Sequence, residues 1–153
     1  MAIQEVRVGY KGRDIRGENV ASEIQRTIGV SGLEKVRTAR VYRLEGVTEQ
    51  DAKKLAETLF CELIDQEYTL NQPIITDTQN IVEVAYKPGV MNPEASSIMK
   101  FAQDLDIDLT AVDSSAEYGF YGKVGEEEIN QVVERLLVNK TVERVVYEKP
   151  KTL

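Results

Sequence analysis

An internal repeat constrains the fold of this chain more than any other feature of its sequence. Residues 6–12 read Val-Arg-Val-Gly-Tyr-Lys-Gly, and residues 82–89, which start 76 positions later, read Val-Glu-Val-Ala-Tyr-Lys-Pro-Gly. In both segments apolar residues alternate along a short strand, which a lysine and a glycine-containing turn then follow. A self-match at a spacing of about half the chain predicts two copies of one structural unit.

The match continues through both halves in the same order. At the same offset stand Leu33 and Leu109, Val36 and Val112, Tyr42 and Tyr118, Leu44 and Phe120, and Gly46 and Gly122. After one inserted residue, the matching positions are Glu49 and Glu126, Ala52 and Ile129, Leu55 and Val132, and Leu59 and Leu136. In the last strand the original offset is expected to return, matching Glu67 with Glu143 and Leu70 with Val146. The sequence therefore predicts two units, residues 5–71 and 80–148, joined by residues 71–80.

Each unit is predicted to run strand, helix, strand, helix, strand. The alternating segments of the first unit are 5–10, 35–45 and 67–71, and those of the second are 81–87, 109–121 and 141–148. Helical patterns begin near Glu18, after a Thr48 cap, after Asn92-Pro93 and after Gly125. The segment 109–121 is long enough for two strands, which resembles the split β-α-β plan of ferredoxin-like folds.

The predicted fold class is α/β of the α+β type, with antiparallel sheets and helices on their outer faces. Both faces of the middle strands carry apolar residues, so the second sheet face has to be buried as well. Units of about 70 residues have marginal cores. We therefore expect the sister unit to cover that face, which makes one globular body with approximate twofold symmetry.

Composition excludes several classes of function. The 153-residue chain has no histidine, one cysteine and a net charge of −7. A histidine-dependent triad, a histidine metal site and a cysteine-rich zinc site are therefore excluded within one chain. From the sequence we expect no nucleic-acid partner, no membrane span and no signal peptide, and the single cysteine fits the cytoplasm.

The acidic and serine-rich clusters predict no active site. Asp104, Asp106 and Asp108 lack the glycine and the downstream glutamate of an EF-hand loop, and they alternate with apolar positions as a solvated edge does. Ser96-Ser97 and Ser114-Ser115 have no adjacent base. We therefore assign no catalytic, cofactor-binding or metal-binding residue.

The alternation of apolar residues along the strand 35–45 does not explain the charged residue Arg40. It shares a strand face with Val36, Tyr42 and Leu44, whereas its counterpart at the 76-residue offset is Ala116. A charge on an apolar face needs a partner, because burying it unpaired is costly. Two interpretations stand: an internal ion pair or a strand end that reaches solvent, and a contact with another subunit or an anion.

The motifs resemble the PurS family, the small subunit of phosphoribosylformylglycinamidine (FGAM) synthase, in a tandem-duplicated form. The family opening V-x-V-x-x-K-P-G-V matches residues 82–90 well and residues 6–12 loosely. The family segment V-R-x-G-K-x-x-x-L is similar to residues 36–44, and its ending L-x-N-P-V-I-E is similar to residues 137–143. Ala39 stands for the family glycine and Arg40 for its lysine, and the second unit carries Asp113 and Ala116 instead of the basic residues.

The resemblance implies a component that is not catalytic on its own, within an ATP- and glutamine-dependent ligase of purine synthesis. Its partners would be the synthetase and glutaminase components, between which it supports ammonia transfer, and a homo-oligomer stays open. Interface residues implied by the motifs are Lys11, Arg37, Arg40, Lys87, Pro88 and Gly89. The alternative function is a tandem ferredoxin-like regulatory module that binds an amino acid or a nucleotide.

Overall fold

The computed structural model describes residues 3–147 and 152–153 as an α+β chain. Its strands are β1 (Ile3–Tyr10), β2 (Leu33–Glu45), β3 (Gln66–Leu70), β4 (Ile81–Tyr86), β5 (Ala111–Gly122) and β6 (Glu143–Val145). Its helices are α1 (Ile15–Thr27), α2 (Glu49–Leu55), α3 (Ala95–Asp104) and α4 (Glu126–Val132). The helices α2 and α4 each continue into a π-helical turn, Ala56–Phe60 and Val133–Leu137 respectively.

The six strands form one open antiparallel sheet in the order β3-β1-β2-β5-β4-β6. The two halves meet edge to edge, because β2 pairs with β5 from Leu33 opposite Gly122 to Glu45 opposite Ala111. The prediction that a second sheet would cover the first is therefore wrong. Pairing β2 with β5 satisfies the backbone groups of two long strand edges that separate sheets would expose. The long strand expected within 109–121 is β5, which is continuous and is not divided into two strands.

Near the centre of the sheet, residue pairs on neighbouring strands of the first half recur 76 residues later in the second half. Glu5 on β1 lies opposite Arg43 on β2, and the positions 76 residues later, Ile81 and Gly119, are paired as well. At the outer strands the spacing is 77, because Val8 pairs with Tyr68 while Val84 pairs with Val145. The predicted return to the original offset in the last strand is therefore wrong, and the inserted residue is not compensated before β6.

All four helices pack on one face of the sheet, in two apolar clusters. The first contains Ala52 and Leu55 of α2 with Ile98 and Ala102 of α3, and the second contains Ile24 of α1 with Ile129 and Val132 of α4. Strand residues with side chains on this face fill both clusters; they include Val6, Tyr42, Leu44, Val84, Tyr118 and Phe120. Each cluster therefore contains residues from both halves of the chain.

Helix α1 begins three residues earlier than the sequence pattern predicts. Asp14 caps it, because one carboxylate oxygen accepts a hydrogen bond from the Gly17 amide at 2.7 Å. The other oxygen accepts from the Thr38 amide on β2 at 2.6 Å. A Cβ atom on Gly17 would lie 2.1 Å from the Val36 carbonyl oxygen, so only glycine permits this close approach of helix and strand.

The other predicted helix starts and the last strand give mixed results. The Thr48 hydroxyl accepts from the Asp51 amide at 3.1 Å, which confirms the predicted cap of α2. Helix α3 starts at Ala95, and the predicted cap Asn92 is buried in contacts with β5. Strand β6 is shorter than the predicted 141–148, and residue 148 lies outside the described residues.

The helix-free face is crossed by residues 71–80, which lead from β3 to β4 across β1, β2 and β5. Small residues lie beneath the crossing: a Cβ on Gly9 would meet Ile74 at 3.2 Å and one on Gly119 would meet Ile75 at 2.9 Å. Ile75 packs on Ala39 and Tyr121 in a small cluster of its own. The Thr78 hydroxyl donates to the Phe120 carbonyl at 2.7 Å. The segment is thus fastened to β5.

Candidate functional site

Arg40 lies at the middle of the sheet, opposite Ala116 on β5. Alternation along β2 directs its side chain to the helix-covered face, between the two apolar clusters. The guanidinium forms an ion pair with Glu94, the residue that precedes α3, and lies 3.3 Å from the Ser114 hydroxyl. The Arg40 side chain is 30% exposed and that of Glu94 is 43% exposed. The pair is therefore open to solvent and to a ligand.

Residues on β5 and before α3 hold this pair in position. The Ser114 hydroxyl donates to Glu94 at 3.2 Å, and the Asn92 amide nitrogen donates to that hydroxyl at 2.8 Å. Asn92 also donates to the Asp113 carboxylate at 2.9 Å. Asn92 and Ser114 are buried, so the exposed ion pair has a rigid polar base.

A small cavity of about 90 Å³ adjoins the Arg40 ion pair on the helix-covered face. Its further lining includes Arg16 of α1, Tyr86 of β4 and Glu143 of β6. Two cationic side chains, Arg16 and Arg40, and two anionic ones, Glu94 and Glu143, thus line one cavity. Such an arrangement suits a ligand that carries both signs of charge.

The helix-free face carries a second, buried group of charges. Arg7 on β1 lies 3.0 Å from Glu117 on β5. Arg43 on β2 contacts Glu5 at 2.8 Å and forms a two-point hydrogen bond with Glu83 on β4. Arg7, Arg43 and Glu117 are all buried. Because these contacts join β1 and β2 to β4 and β5, they bridge the two halves of the chain.

The environment of this charge group stabilises the ionised forms. Burial opposes ionisation of Glu83, yet hydrogen bonds from Arg43 and Ser115 hold the pKa of Glu83 below its usual value. Burial likewise opposes the charge of Arg43, but its bonds to Glu83 and Glu5 raise the pKa of the guanidinium. Each charge is thus maintained by its partners, which makes the group a single network.

The residues implied by the family motifs are not gathered at one place. Arg40 is on the helix-covered face, whereas Arg37 is on the other face and donates to the Tyr10 carbonyl at 2.8 Å. Lys11 follows β1 and donates to the Leu63 carbonyl at 2.7 Å. The exposed turn Lys87, Pro88 and Gly89 follows β4 at the opposite end of the sheet.

Arg37 and Arg40 point to opposite faces of the sheet, because residues three apart on a strand lie on opposite faces. Strand β2, which carries both, lies inside the sheet between β1 and β5. Of the two interpretations of Arg40, the internal ion pair is present in the structure.

Sequence reasoning missed the partners of these arginines. Glu94 carries no signal in the sequence, because it stands in a loop whose path depends on the tertiary fold. The network around Arg43 does leave a trace in the sequence. Glu5 and Arg7 on β1 are two residues apart, as are Ser115 and Glu117 on β5, so each polar pair shares one face of its strand. The pairing of β2 with β5 is needed to bring those residues together.

Comparison with known proteins identifies no family. No protein-family model matches the chain, and no curated protein matches it. Among the described residues, no cluster of three His, Cys, Asp or Glu side chains has the geometry of a metal site. Within the same residues, no helix combines the length and apolar character that crossing a bilayer requires.

Proposed function

We propose that this chain is a PurS-like component of FGAM synthase, built from two tandem ferredoxin-like units. The observation that carries the proposal is the order strand, helix, strand, helix, strand, which occurs twice with matched β-register at the 76-residue spacing. Arg40 and Ala116, which are counterparts at that spacing, are also direct partners across β2 and β5. An approximate twofold axis between them supports a duplicated unit.

The family-like motifs coincide with structural elements in a way that supports this proposal. In the segment 82–90, Val82 and Val84 belong to a central cluster while Lys87, Pro88 and Gly89 form an exposed turn. Gly89 adopts a φ of 85°, which glycine accepts without strain. A buried strand followed by an exposed turn is a suitable recognition element for a partner subunit.

In the proposed role, the chain joins the synthetase to the glutaminase and supports ammonia transfer between them, while the partners supply the catalytic groups. The test is reconstitution with the two partner components from the same genome. We expect the three proteins to co-sediment in analytical ultracentrifugation, and glutamine-dependent amidine formation to require the chain. Ammonia-dependent turnover by the synthetase is expected to need it far less.

Variants at the exposed turns locate the interface. Lys87→Ala and Lys11→Ala are expected to weaken co-sedimentation, and Arg13→Ala, an exposed arginine in a local ion pair with Glu18, serves as the control. The proposal fails if the synthetase and glutaminase reach full glutamine-dependent activity without the chain and do not bind it. Turnover by the purified chain alone would contradict the non-catalytic role.

The second candidate function is a regulatory module that binds a small molecule. The half-exposed pair of Arg40 and Glu94, which lies on a buried polar base, favours it. A chain that binds a metabolite but neither partner component would support this function over the first.

A further inference from the structure

A groove between α2 and α3 meets the Arg40 ion pair at one end. It encloses about 450 Å³, within the range of small-molecule sites. Its apolar lining is Tyr42, Leu59, Phe60, Pro93, Ile98 and Phe101, and its polar lining is Glu94 and Ser97. Glu94 also lines the small polar cavity, so the apolar groove and the charged depression share one boundary.

Aromatic rings form the floor of the groove. Tyr42 and Phe60 stack with ring centroids 4.0 Å apart and planes 8° from parallel. Phe60 ends the π-helical turn that follows α2. The guanidinium carbon of Arg40 lies 5.8 Å from the Tyr42 ring centroid. A cation thus stands at the edge of an aromatic surface.

We propose that this groove binds a free α-amino acid with an apolar or aromatic side chain. The carboxylate of the ligand contacts Arg40, its ammonium group contacts Glu94, and its side chain packs on Phe60 and Phe101. The site goes beyond the proposed role as a ligase component and requires no partner protein. It specifies the class of ligand for the second candidate function, the small-molecule-binding module.

Charge complementarity identifies this class of ligand. Arg40 and Glu94 are neighbours of opposite sign, and both are reachable from solvent. A ligand with a single charge pairs with either Arg40 or Glu94 and leaves the other side chain without its present partner. A zwitterion offers an anion to Arg40 and a cation to Glu94, so both side chains keep a partner of opposite charge. The aromatic floor then selects an apolar side chain, because burying it removes apolar surface from water.

The corresponding groove in the other half lacks these groups. At matched positions Ala116 stands for Arg40, Gln25 for Phe101 and Leu137 for Phe60. Glu18 stands for Glu94 and pairs with Arg13 in solvent instead. The proposal therefore specifies one amino-acid site per chain, between α2 and α3.

The test uses L-phenylalanine as the probe, with binding measured by calorimetry and located by NMR shifts of the Tyr42, Phe60 and Phe101 rings. Two analogues each lack one charge: 3-phenylpropionate has no ammonium group and phenethylamine has no carboxylate. We expect one site per chain and about tenfold or greater loss of affinity for either analogue. Arg40→Ala and Glu94→Gln are each expected to weaken L-phenylalanine binding by about tenfold or more.

Arg26→Ala is the matched control, since Arg26 pairs with Glu23 on the exposed surface of α1. It is expected to leave binding unchanged. Thermal melts of Arg40→Ala check its folding, and Glu94→Gln, at a half-exposed position, provides an independent variant. Equal affinity for L-phenylalanine and 3-phenylpropionate would overturn the zwitterion assignment.

No ring shifts at 20-fold molar excess over a millimolar chain, or a stable dimer that buries the groove, would overturn the site itself. Either result leaves the reconstitution with synthetase and glutaminase unaffected, so the two proposals fail separately.

Discussion

The two faces of the sheet are stabilised in different ways. The helix-covered face is buried by apolar side chains from four helices, in clusters such as the one around Leu55. The helix-free face is covered by residues 71–80 and by a layer of paired charges centred on Arg43. Val41, which points to this second face, is 0% exposed although no described helix packs on it.

The difference separates stability from specificity. Apolar burial has little directionality, so the helix-covered face stabilises any arrangement that removes those residues from water. Paired charges penalise every alternative strand register, because a shift leaves a buried charge without its partner. Arg7 and Arg43 each reach a glutamate in the other half of the chain. The charged face is therefore the part that favours the edge-to-edge joining of β2 and β5.

The largest expected effect is the loss of Arg43. Arg43→Ala leaves Glu83 and Glu5 without their main cation, and removing one partner of a buried pair typically costs about 3–5 kcal/mol. Urea unfolding of the variant and the parent measures this change. Arg43→Met combined with Glu83→Leu is expected to recover most of the loss, because well-packed apolar residues substitute for a buried ion pair.

Arg13→Ala, in a solvent-exposed pair with Glu18, is the control and is expected to leave stability unchanged within error. A loss in the double variant equal to the sum of the losses of Arg43→Met and Glu83→Leu made separately would show that the charges act independently of one another. That result would remove the distinction between the two faces.

The next effect concerns the apolar face. Leu55 on α2 is 0% exposed, and Leu→Ala substitutions in cores cost about 2–5 kcal/mol through lost transfer energy and a residual cavity. Val132→Ala, at the matched position on α4, removes fewer carbon atoms and is expected to cost less. Urea unfolding with an unchanged m-value gives both numbers. A loss below about 1 kcal/mol for Leu55→Ala would mean that α2 contributes little to the core.

The sequence predicted local elements better than their assembly. The strand over 35–45 and the Thr48 cap follow from residue periodicity and capping chemistry, which act within a few residues. The early start of α1 was missed because the cap Asp14 stands in a segment of charged residues and glycines that reads as a turn. Its carboxylate is held by Thr38, a contact between distant positions.

The joining of the halves was missed for a related reason. A middle strand with apolar residues on both faces predicts cover on both faces, but the pattern does not specify whether that cover is a sheet, a crossing segment or paired charges. Arg40 was identified as needing a partner, and Glu94 provides it. The identity of that partner depends on where the loop before α3 lies, which no periodicity records.

A smaller effect on the charged face appears in acid. The pKa of Glu83 is held below its ordinary value of 4.5, so its stabilising contribution is present above that pH and is lost as the pH falls through the lower folded value. The free energy of unfolding is therefore expected to fall more steeply below pH 4.5 in the parent than in Glu83→Gln. The difference in slope is at most about 1.4 kcal/mol per pH unit, the value for one proton.

Glu18→Gln is the matched control for this titration. The pKa of Glu18 is also lowered, by its hydrogen bond from Arg13, but that pair lies in solvent. In about 0.5 M salt, the slope of unfolding free energy against pH is expected to become the same in Glu18→Gln as in the parent. The slope of Glu83→Gln is expected to stay different from that of the parent, because buried pairs are screened less. A Glu83 effect that disappears in salt would place its carboxylate in solvent.

The smallest effect tests whether residues 71–80 lie on the helix-free face. Burial, and then the hydrogen bond and charge of Asp77, raise the pKa of Tyr121 from 10.0 to about 12. A raised folded pKa means that the protonated tyrosine stabilises the fold fully below pH 10 and that this contribution is lost as the pH rises through about 12.

Asp77→Asn removes the charge but keeps the burial, so the pKa of Tyr121 is expected to fall part of the way towards 10. Tyrosinate absorbance, taken as a difference from Tyr121→Phe to remove the other tyrosines, measures this pKa while circular dichroism confirms folding at each pH. If Tyr121 titrates near pH 10 in both the parent and Asp77→Asn, the crossing segment does not cover β5, and the charged layer alone protects that face.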